Sequence, residues 1–198
     1  MESNTALKML KQSINSLANT PDELIENLFG ICTLKKLNRR EIFVRSGDYP
    51  KYVGFNLSGI FRLYYTDSKG NDWTKGFSTK GRFIISYSAL VQKRESFFNI
   101  ESLTDSEILQ FDFEEWMKMI RSDMRWYPLT FNLLQTVYIM KEIREKSFLL
   151  DDATSRYIQF MKEYPEVETN AKLYHIASFL GITPESLSRI RRKLKKLS

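Results

Sequence analysis

Residues 172–190 read KLYHIASFLGITPESLSRI, a pattern typical of two helices joined by a tight turn. Apolar residues recur at steps of three and four on both sides of the turn, which places them on the facing sides of the two helices. Gly181 can end the first helix, Thr183 is a favoured N-cap, and Pro184 suits the first position of the second helix. We therefore predict a helix-turn-helix whose second helix covers residues 183–195.

The outward face of that second helix is polar and basic. Its residues lie three and four positions apart and are Glu185, Ser188, Arg189 and Arg192. Arginine can bond bidentately to the O6 and N7 atoms of guanine, and a carboxylate can accept from the N4 atom of cytosine. This combination favours a base-reading helix in the major groove of DNA, although an ordinary helical corner remains an alternative.

The excess positive charge of the chain lies at its C-terminal end. Lys and Arg together number 30 against 24 Asp and Glu, which gives a net charge of +6. Residues 171–198 contain seven basic residues and one acidic residue, so they account for the whole excess. Such a distribution is typical of a polyanion-binding module fused to a neutral body, although a solvated basic helix end would give the same count.

Residues 35–113 have the composition of a β domain. Short runs rich in β-branched and aromatic residues predict strands at residues 41–44, 60–65, 73–77 and 108–113. Glycines recur at intervals of 11 or 12 residues, at Gly47, Gly59, Gly70 and Gly81. Regular turn signals of this kind predict an antiparallel barrel or jelly roll, with a hairpin turn at residues 68–72.

Helical periodicity surrounds the β domain on both sides. It predicts helices within residues 6–29, over 114–120, over 124–149 and over 154–164. The long third helix carries heptad-spaced apolar residues at Leu133, Val137 and Met140, which favour a dimer seam. Packing of this helix against the barrel of its own chain is the alternative.

With these elements in this order, the chain resembles the Crp/Fnr family of bacterial transcription regulators. The resemblance implies an α+β fold: an N-terminal antiparallel β jelly roll of the cyclic-nucleotide-binding type, a long dimerisation helix and a C-terminal winged helix-turn-helix. It implies a sensor domain over residues 1–120, a dimerisation and linker helix over 121–150 and a DNA-binding domain over 151–198. Because little sequence follows the second helix, we expect any wing to precede the motif, around residues 166–169.

The resemblance also assigns roles to single residues. The run Glu185-x-x-Ser188-Arg189 matches the Glu-x-x-Ser-Arg motif of the fumarate and nitrate regulator branch, which implies base contacts in a half-site containing TGA. Arg192 is the fourth candidate base-reading residue. The candidate phosphate contacts are Tyr174, Thr183, Ser186, Lys193 and Lys195.

The sensor half departs from the relatives that bind cyclic AMP. In those relatives a Gly-Glu pair binds the ribose and an Arg-Ser pair binds the phosphate. Here Ile85-Ser86 replaces the first pair, and Glu95 precedes Ser96 where the arginine is expected, although Arg94 could substitute if the register shifts by one. We predict a degenerate pocket that does not bind cyclic AMP tightly, and an effector that is unknown or absent; aromatic residues here favour a packed core over an apolar effector.

Composition argues against other classes of protein. The single histidine, His175, lies outside the barrel and is expected at the surface, so a cupin-type metal enzyme is disfavoured. The single cysteine, Cys32, excludes an internal disulfide and the iron–sulfur cluster of some relatives, and is expected to be a small buried apolar residue. No metal or other cofactor is expected.

We therefore predict a cytoplasmic, homodimeric bacterial regulator that binds palindromic double-stranded DNA and is not an enzyme. RNA polymerase is a further candidate partner, and no membrane association is expected, because the chain has no long uninterrupted apolar run. The alternative is a sensor or adaptor protein whose basic C-terminal module binds a partner protein or RNA.

Overall fold

The β-branched and aromatic runs form two four-stranded antiparallel sheets in the computed structural model, which describes residues 3–196. The strands are β1 Thr33–Leu37, β2 Ile42–Val44, β3 Tyr52–Ser58, β4 Phe61–Thr66, β5 Asp72–Ser78, β6 Phe83–Ile84, β7 Asn99–Ser102 and β8 Ser106–Asp112. One sheet has the order β1-β8-β3-β6 and the other β2-β7-β4-β5. The predicted antiparallel β architecture is therefore confirmed as a sandwich.

Apolar side chains from both sheets fill the space between them. Phe61, Ile100 and Ile108 are fully buried in this core. They come from strands of different sheets, since β4 and β7 belong to one sheet and β8 to the other. Burial of alternate side chains on facing sheets is what stabilises a sandwich of this size.

Tight turns connect the strands where the sequence predicts them. Gly47, Gly59, Gly70 and Gly81 all have a positive φ. Gly59 has no room for a side chain, because a Cβ atom there would lie 1.9 Å from the Oγ atom of Ser106. The regular glycine spacing therefore reflects a real geometric requirement at these turns.

Four helices flank the sandwich, and most of them pack on its first sheet. They are α1 Ser3–Leu17, α2 Asp22–Gly30, α3 Tyr87–Gln92 and α4 Phe113–Ser122. Leu10 and Ile14 of α1 are fully buried against the sheet residues Val53 and Phe55. The N-terminal helices therefore form a second apolar core with the first sheet, separate from the core between the two sheets.

The long helix α5, Tyr127–Leu150, begins three residues after the predicted start and has Pro128 in its first turn. A short 3₁₀ turn, Met124–Trp126, precedes it. Leu129 is buried against the sandwich, and the side-chain amide of Asn132 donates to the Leu17 carbonyl over 2.8 Å. Every residue from 134 to 143 is exposed, so the middle of the helix extends into solvent.

Four helices form the C-terminal unit. They are α6 Ala153–Glu163, α7 Pro165–Asn170, α8 Leu173–Leu180 and α9 Pro184–Lys195. Asp152 caps the start of α6, because its carboxylate accepts from the Ser155 N–H over 2.7 Å. None of the helices within residues 3–196 is long and apolar enough to span a lipid bilayer.

The C-terminal unit packs directly on the second sheet through an aromatic cluster. The ring of Phe77 on β5 lies 5.4 Å from Phe179, 6.1 Å from Phe160 and 6.1 Å from Tyr164, measured between ring centroids. The Ser178 hydroxyl also accepts from the Thr74 N–H over 2.8 Å. These contacts fix the orientation of α8 relative to the sandwich.

The predicted wing around residues 166–169 is wrong, because these residues lie in helix α7. Pro165 at its first turn and the acidic residues Glu166 and Glu168 favour a helix, and Val167 is fully buried in the C-terminal core. Residues 113–196 contain no strand. In the part of the chain that the structure describes, the C-terminal unit is thus helical throughout.

Candidate nucleic-acid interface

Helices α8 and α9 are joined by the three-residue turn that the sequence predicts. Gly181 has a φ of +68°, and the Ile182 N–H donates to the Ala177 carbonyl over 3.0 Å. The Thr183 hydroxyl caps α9 by accepting from the Ser186 N–H over 3.2 Å. The angle between the two helices is therefore set by a left-handed glycine and a side-chain cap.

Two arginines from other helices bind the free carbonyls at the end of α8. Arg144 on α5 donates to the Phe179 carbonyl over 3.0 Å, and Arg156 on α6 donates to the Leu180 carbonyl over 3.1 Å. The Arg144 guanidinium also lies 3.9 Å from the centroid of the Phe179 ring. The end of α8 is thus connected to both the long helix and the first helix of the C-terminal unit.

We expect Gly181→Ala to destabilise the C-terminal unit. Alanine is strained at positive φ, by about 1 to 2 kcal/mol, and its Cβ atom would lie 2.8 Å from the Phe148 ring. Gly30→Ala is the matched control, because Gly30 ends a helix and a Cβ atom there would have no other atom within 4 Å. Thermal unfolding should show a lower Tm for Gly181→Ala alone; equal melting of both variants would contradict this.

The predicted base-reading residues lie together on the free face of α9. Glu185, Arg189 and Arg192 are exposed, and Ser188 between them is half-buried. Arg189 donates to the Ser186 hydroxyl over 3.1 Å, so its guanidinium lies against the first turn of the helix. Hydrogen bonds from its own backbone N–H and from Thr183 hold the pKa of Glu185 below its usual value, so this carboxylate is ionised at neutral pH.

Most of the predicted phosphate contacts are accessible to solvent. Tyr174, Thr183, Lys193 and Lys195 are exposed, and Ser186 is half-buried under Thr183. Tyr174 stands at the start of α8, whereas the two lysines are in the second half of α9. The exposed lysines of α9 and the exposed hydroxyls of Thr183 and Tyr174 are groups that can bind phosphate.

One basic residue of α9 contacts other helices of the C-terminal unit and does not lie on the free face. Arg191 donates from Nε to the Tyr157 hydroxyl over 3.0 Å, and its Nη2 atom lies 2.9 Å from a carboxylate oxygen of Glu168. These contacts bind α9 to α6 and α7. Arg191 therefore contributes to the count of basic residues in this region without being available on the free face.

The expectation that His175 lies at the surface is wrong. Its side chain is only 5% exposed, because α8 packs this face against the second sheet. Burial is the main cause that lowers its pKa to about 3, and the nearby cations Arg62 and Lys172 add to the effect. His175 is therefore neutral at physiological pH.

Because the folded chain keeps His175 neutral, we expect acid to destabilise the fold. Below its usual pKa of 6.5 the unfolded chain binds a proton that the folded chain does not. The free energy of unfolding therefore falls as pH falls from 6.5 towards 3, by up to about 1.4 kcal/mol per pH unit from this group.

This expectation can be checked by NMR, since His175 is the only histidine of the chain. Its imidazole signal in the folded protein should not titrate between about pH 8 and about pH 5. A midpoint near the ordinary histidine pKa would contradict the burial of this side chain.

The sensor residues Ser86 and Ser96 meet inside the sandwich. Their hydroxyls are 2.9 Å apart, and Ser96 also donates to the Phe98 carbonyl over 2.8 Å. Both serines are buried, whereas Arg94 and Glu95 are exposed. The structure thus separates the two charged residues from the two serines of the predicted pocket.

The other predicted pocket residues and their neighbours combine an apolar side chain with cations that contact aromatic rings. Ile85 packs partly against the core under the first sheet. The Arg94 guanidinium lies 4.2 Å from the centroid of the exposed Phe97 ring, and the Lys75 ammonium lies 3.8 Å from that of Phe98. Burial lowers the pKa of Lys75 to about 8, with a smaller contribution from Lys141 on α5.

The predicted dimer residues occupy two environments. Leu133 is half-buried against the core of its own sandwich, whereas Val137 and Met140 are 45% and 44% exposed. Leu134, Tyr138, Ile139 and Ile143 add to an apolar surface on all sides of the helix. The first two turns of α5 therefore pack on the sandwich of the same chain. The middle of the helix is left uncovered.

Two further expectations concern cysteine and metal sites. Cys32 is half-buried, and burial raises the pKa of its thiol to about 12, so it is not a reactive thiolate. No group of three or more potential metal-ligating His, Cys, Asp or Glu side chains occurs within residues 3–196.

Comparison with known proteins identifies the class of the sandwich. Residues 34–123 match the family model of the cyclic nucleotide-binding domain. The chain thus contains a domain of this class, which here is followed by the long helix and the helical C-terminal unit. A comparison with curated protein sequences gave no match.

Solved structures with a similar fold include a global regulator and the sensor domain of a transcriptional regulator. FixK2 from Bradyrhizobium japonicum has a TM-score of 0.69 at 17% identity, covering 84% of this chain and 86% of its own. The c-di-GMP-responsive global regulator CLP of Xanthomonas campestris has a TM-score of 0.68 at 14% identity, covering 89% and 92%. The Thermus thermophilus catabolite activator protein has a TM-score of 0.55 at 18% identity, covering 93% and 87%. The likeness extends over most of each chain and establishes the fold.

Proposed function

We propose that the protein is a sequence-specific DNA-binding transcription regulator of the Crp/Fnr type. The observation that carries the proposal is the free face of α9, where Glu185, Arg189 and Arg192 are exposed on a helix that is otherwise packed into the C-terminal unit. In this proposal residues 1–120 form the sensor domain, 121–150 the dimerisation helix and 151–198 the DNA-binding domain. The protein then acts by binding and is not an enzyme.

In the proposed complex, α9 enters the major groove with its N-terminal half towards the bases. Arg189 donates two hydrogen bonds to a guanine, and the ionised Glu185 accepts from a cytosine amino group. Phosphate contacts from Tyr174 and Thr183 on one side and from Lys195 on the other fix the register of the helix. The charge and exposure of these side chains support this division of roles.

A homodimer is the second part of the proposal. The middle of α5 exposes apolar side chains on all sides, including Val137 and Met140, and a helix of this kind is stable in water only when it is covered. A second copy of α5 would cover the side that contains Val137 and Met140 through a coiled-coil seam. Two-fold symmetry then requires a palindromic site, whose half-sites lie about 34 Å apart.

Cyclic AMP is expected to bind weakly to the sensor domain. Glu95 stands at the position of the phosphate-binding arginine, and the loss of a charged hydrogen bond costs about 1.5 to 3 kcal/mol even before repulsion. The hydroxyl of Ser96 is already bonded within the domain. Calorimetric titration should show no micromolar binding, and Glu95→Arg should bind more tightly than wild type; micromolar affinity of the wild type would refute the prediction.

The proposed function is tested by selection of the ligand-free protein on random duplex DNA at near-physiological salt. Enrichment of a two-fold-symmetric sequence with a TGA-type half-site would support the proposal. Weak binding that depends on salt but has no preferred sequence would instead favour the alternative, a sensor or adaptor whose basic C-terminal module binds RNA or a partner protein.

A further inference from the structure

A cavity of about 230 Å³ lies where the C-terminal unit meets the second sheet of the sandwich. Its wall on the sandwich side includes Arg40, Arg62 and Glu101, and its wall on the helical side includes Lys172 and His175. The cavity is separate from the degenerate pocket of the sensor domain. It is built jointly by the two halves of the chain, so an occupant would contact both.

Arg62 is the central group of this cavity and has an unused donor. The side chain is 1% exposed, donates from Nε to the Thr74 hydroxyl over 2.9 Å and from Nη1 to Asp72 over 3.2 Å, and lies 4.2 Å from the centroid of the Tyr64 ring. Its Nη2 atom is buried without a hydrogen-bond partner. A buried guanidinium with a free donor is a position where an acceptor oxygen is missing.

His175 gives a second unused group in the same wall. Its Nδ1 atom is buried and also lacks a partner, on a side chain that is 5% exposed. The neutral ring offers one donor and one acceptor. Two residues of the cavity wall, one from the sheet and one from α8, thus each carry a buried polar atom with unfilled hydrogen-bonding capacity.

The charges around the cavity favour an anion. Four cationic side chains, Arg39, Arg40, Arg62 and Lys172, line it together with two carboxylates, of Asp72 and Glu101. The Asp72 carboxylate is already bonded to Arg62, so the positive excess remains for a ligand. Glu101 is the carboxylate that an anion would have to face, and burial raises its pKa.

The start of α8 adds to this preference. Lys172 occupies its N-cap position, and no side chain caps the helix there. The first backbone N–H groups of an uncapped helix and its dipole both favour a negative group. Lys172 is exposed at the rim, where its ammonium can reach a ligand.

We propose that this cavity binds a small oxyanion, the phosphate or carboxylate group of a metabolite. Arg62 Nη2 donates to one oxygen of the ligand, while Lys172 and Arg40 at the rim supply the remaining charge. Because the walls come from both halves of the chain, the bound anion stabilises the packing of α8 on the sheet. The binding itself does not depend on the proposed DNA function; only its influence on DNA affinity rests on that function.

Binding is tested with the full chain and without DNA. Inorganic phosphate and succinate are titrated separately at constant ionic strength, and the NMR signal of His175 reports occupancy because the chain has no other histidine. We expect a saturable shift with at least one of the two anions. A response to phosphate alone identifies a phosphate site, and a response to succinate alone identifies a carboxylate site. No saturable shift with either anion at millimolar concentration would overturn the proposal.

Substitutions of exposed residues at the rim of the cavity test binding without disturbing the fold. Lys172→Gln and Arg40→Gln change exposed side chains and should weaken binding about tenfold each. Lys118→Gln on α4 is the control, because it also removes one exposed positive charge but lies outside the cavity wall. Equal weakening by all three variants would show a general effect of net charge and would overturn the assigned site.

Discussion

Val137→Glu is expected to convert the protein from a dimer to a monomer. The side chain is 45% exposed in the single chain, so the substitution leaves the fold of each chain intact. In a two-fold seam it would place two carboxylates close together in an apolar interface, at a cost of roughly 3 kcal/mol or more, which weakens dimerisation at least about 100-fold. Light scattering after size-exclusion chromatography should give the mass of one chain, 23.4 kDa, where the wild type gives twice that value.

Gln135→Glu is the matched control for this experiment. Gln135 is exposed on the same helix, and its heptad position faces away from the proposed seam, so the same charge change should leave the dimer intact. The monomeric Val137→Glu variant should also lose high-affinity binding to a full palindrome, since it can engage one half-site at a time. A wild-type protein that is already monomeric at micromolar concentration would contradict the predicted seam.

Arg189→Ala should remove most of the preference for one DNA sequence. The guanidinium is exposed, and its only described hydrogen bond is to the Ser186 hydroxyl, so the substitution should not affect folding. Loss of a bidentate guanine contact costs roughly 1 to 3 kcal/mol per half-site, about five- to 150-fold in affinity. Affinity for the selected palindrome should fall, while affinity for random duplex DNA changes little.

Lys195→Ala separates base reading from phosphate binding. Lys195 is an exposed cation near the end of α9, and its loss should weaken binding to all sequences alike and reduce the salt dependence by about one counterion. The measurement for both variants is a titration of specific and random duplexes at several salt concentrations. If Arg189→Ala and Lys195→Ala weaken both duplexes equally, the proposed roles of these residues are wrong.

Local sequence signals predicted the helix-turn-helix region well. Thr183 caps α9 and Pro184 occupies its first turn as expected, because a cap depends on residues within a few positions of one another. The turn glycines were predictable for the same reason, since a positive φ is a local requirement. Helical spacing also predicts which residues of α9 lie on its free face, once the residues of its buried side are known.

Long-range packing accounts for what the sequence did not predict. His175 was expected at the surface, and its burial arises from β4 and β5, which lie roughly a hundred residues earlier in the chain. Arg62 alternates with the core residue Phe61 along β4 and would be expected on the solvent side, but the C-terminal unit covers that face. Residues 166–169 form a helix that Pro165 and the acidic first turn favour locally, and burial of Val167 among distant residues of the C-terminal core stabilises it.

The aromatic cluster around Phe77 has a thermodynamic consequence. Ile60, Phe77 and Leu103 of the sandwich share one hydrophobic core with the helices of the C-terminal unit. Separation of the two parts would expose this core to water on both sides, so neither part retains its full stability alone. The sandwich and the proposed DNA-binding unit are therefore coupled in unfolding, and a substitution in the core of one lowers the stability of the other.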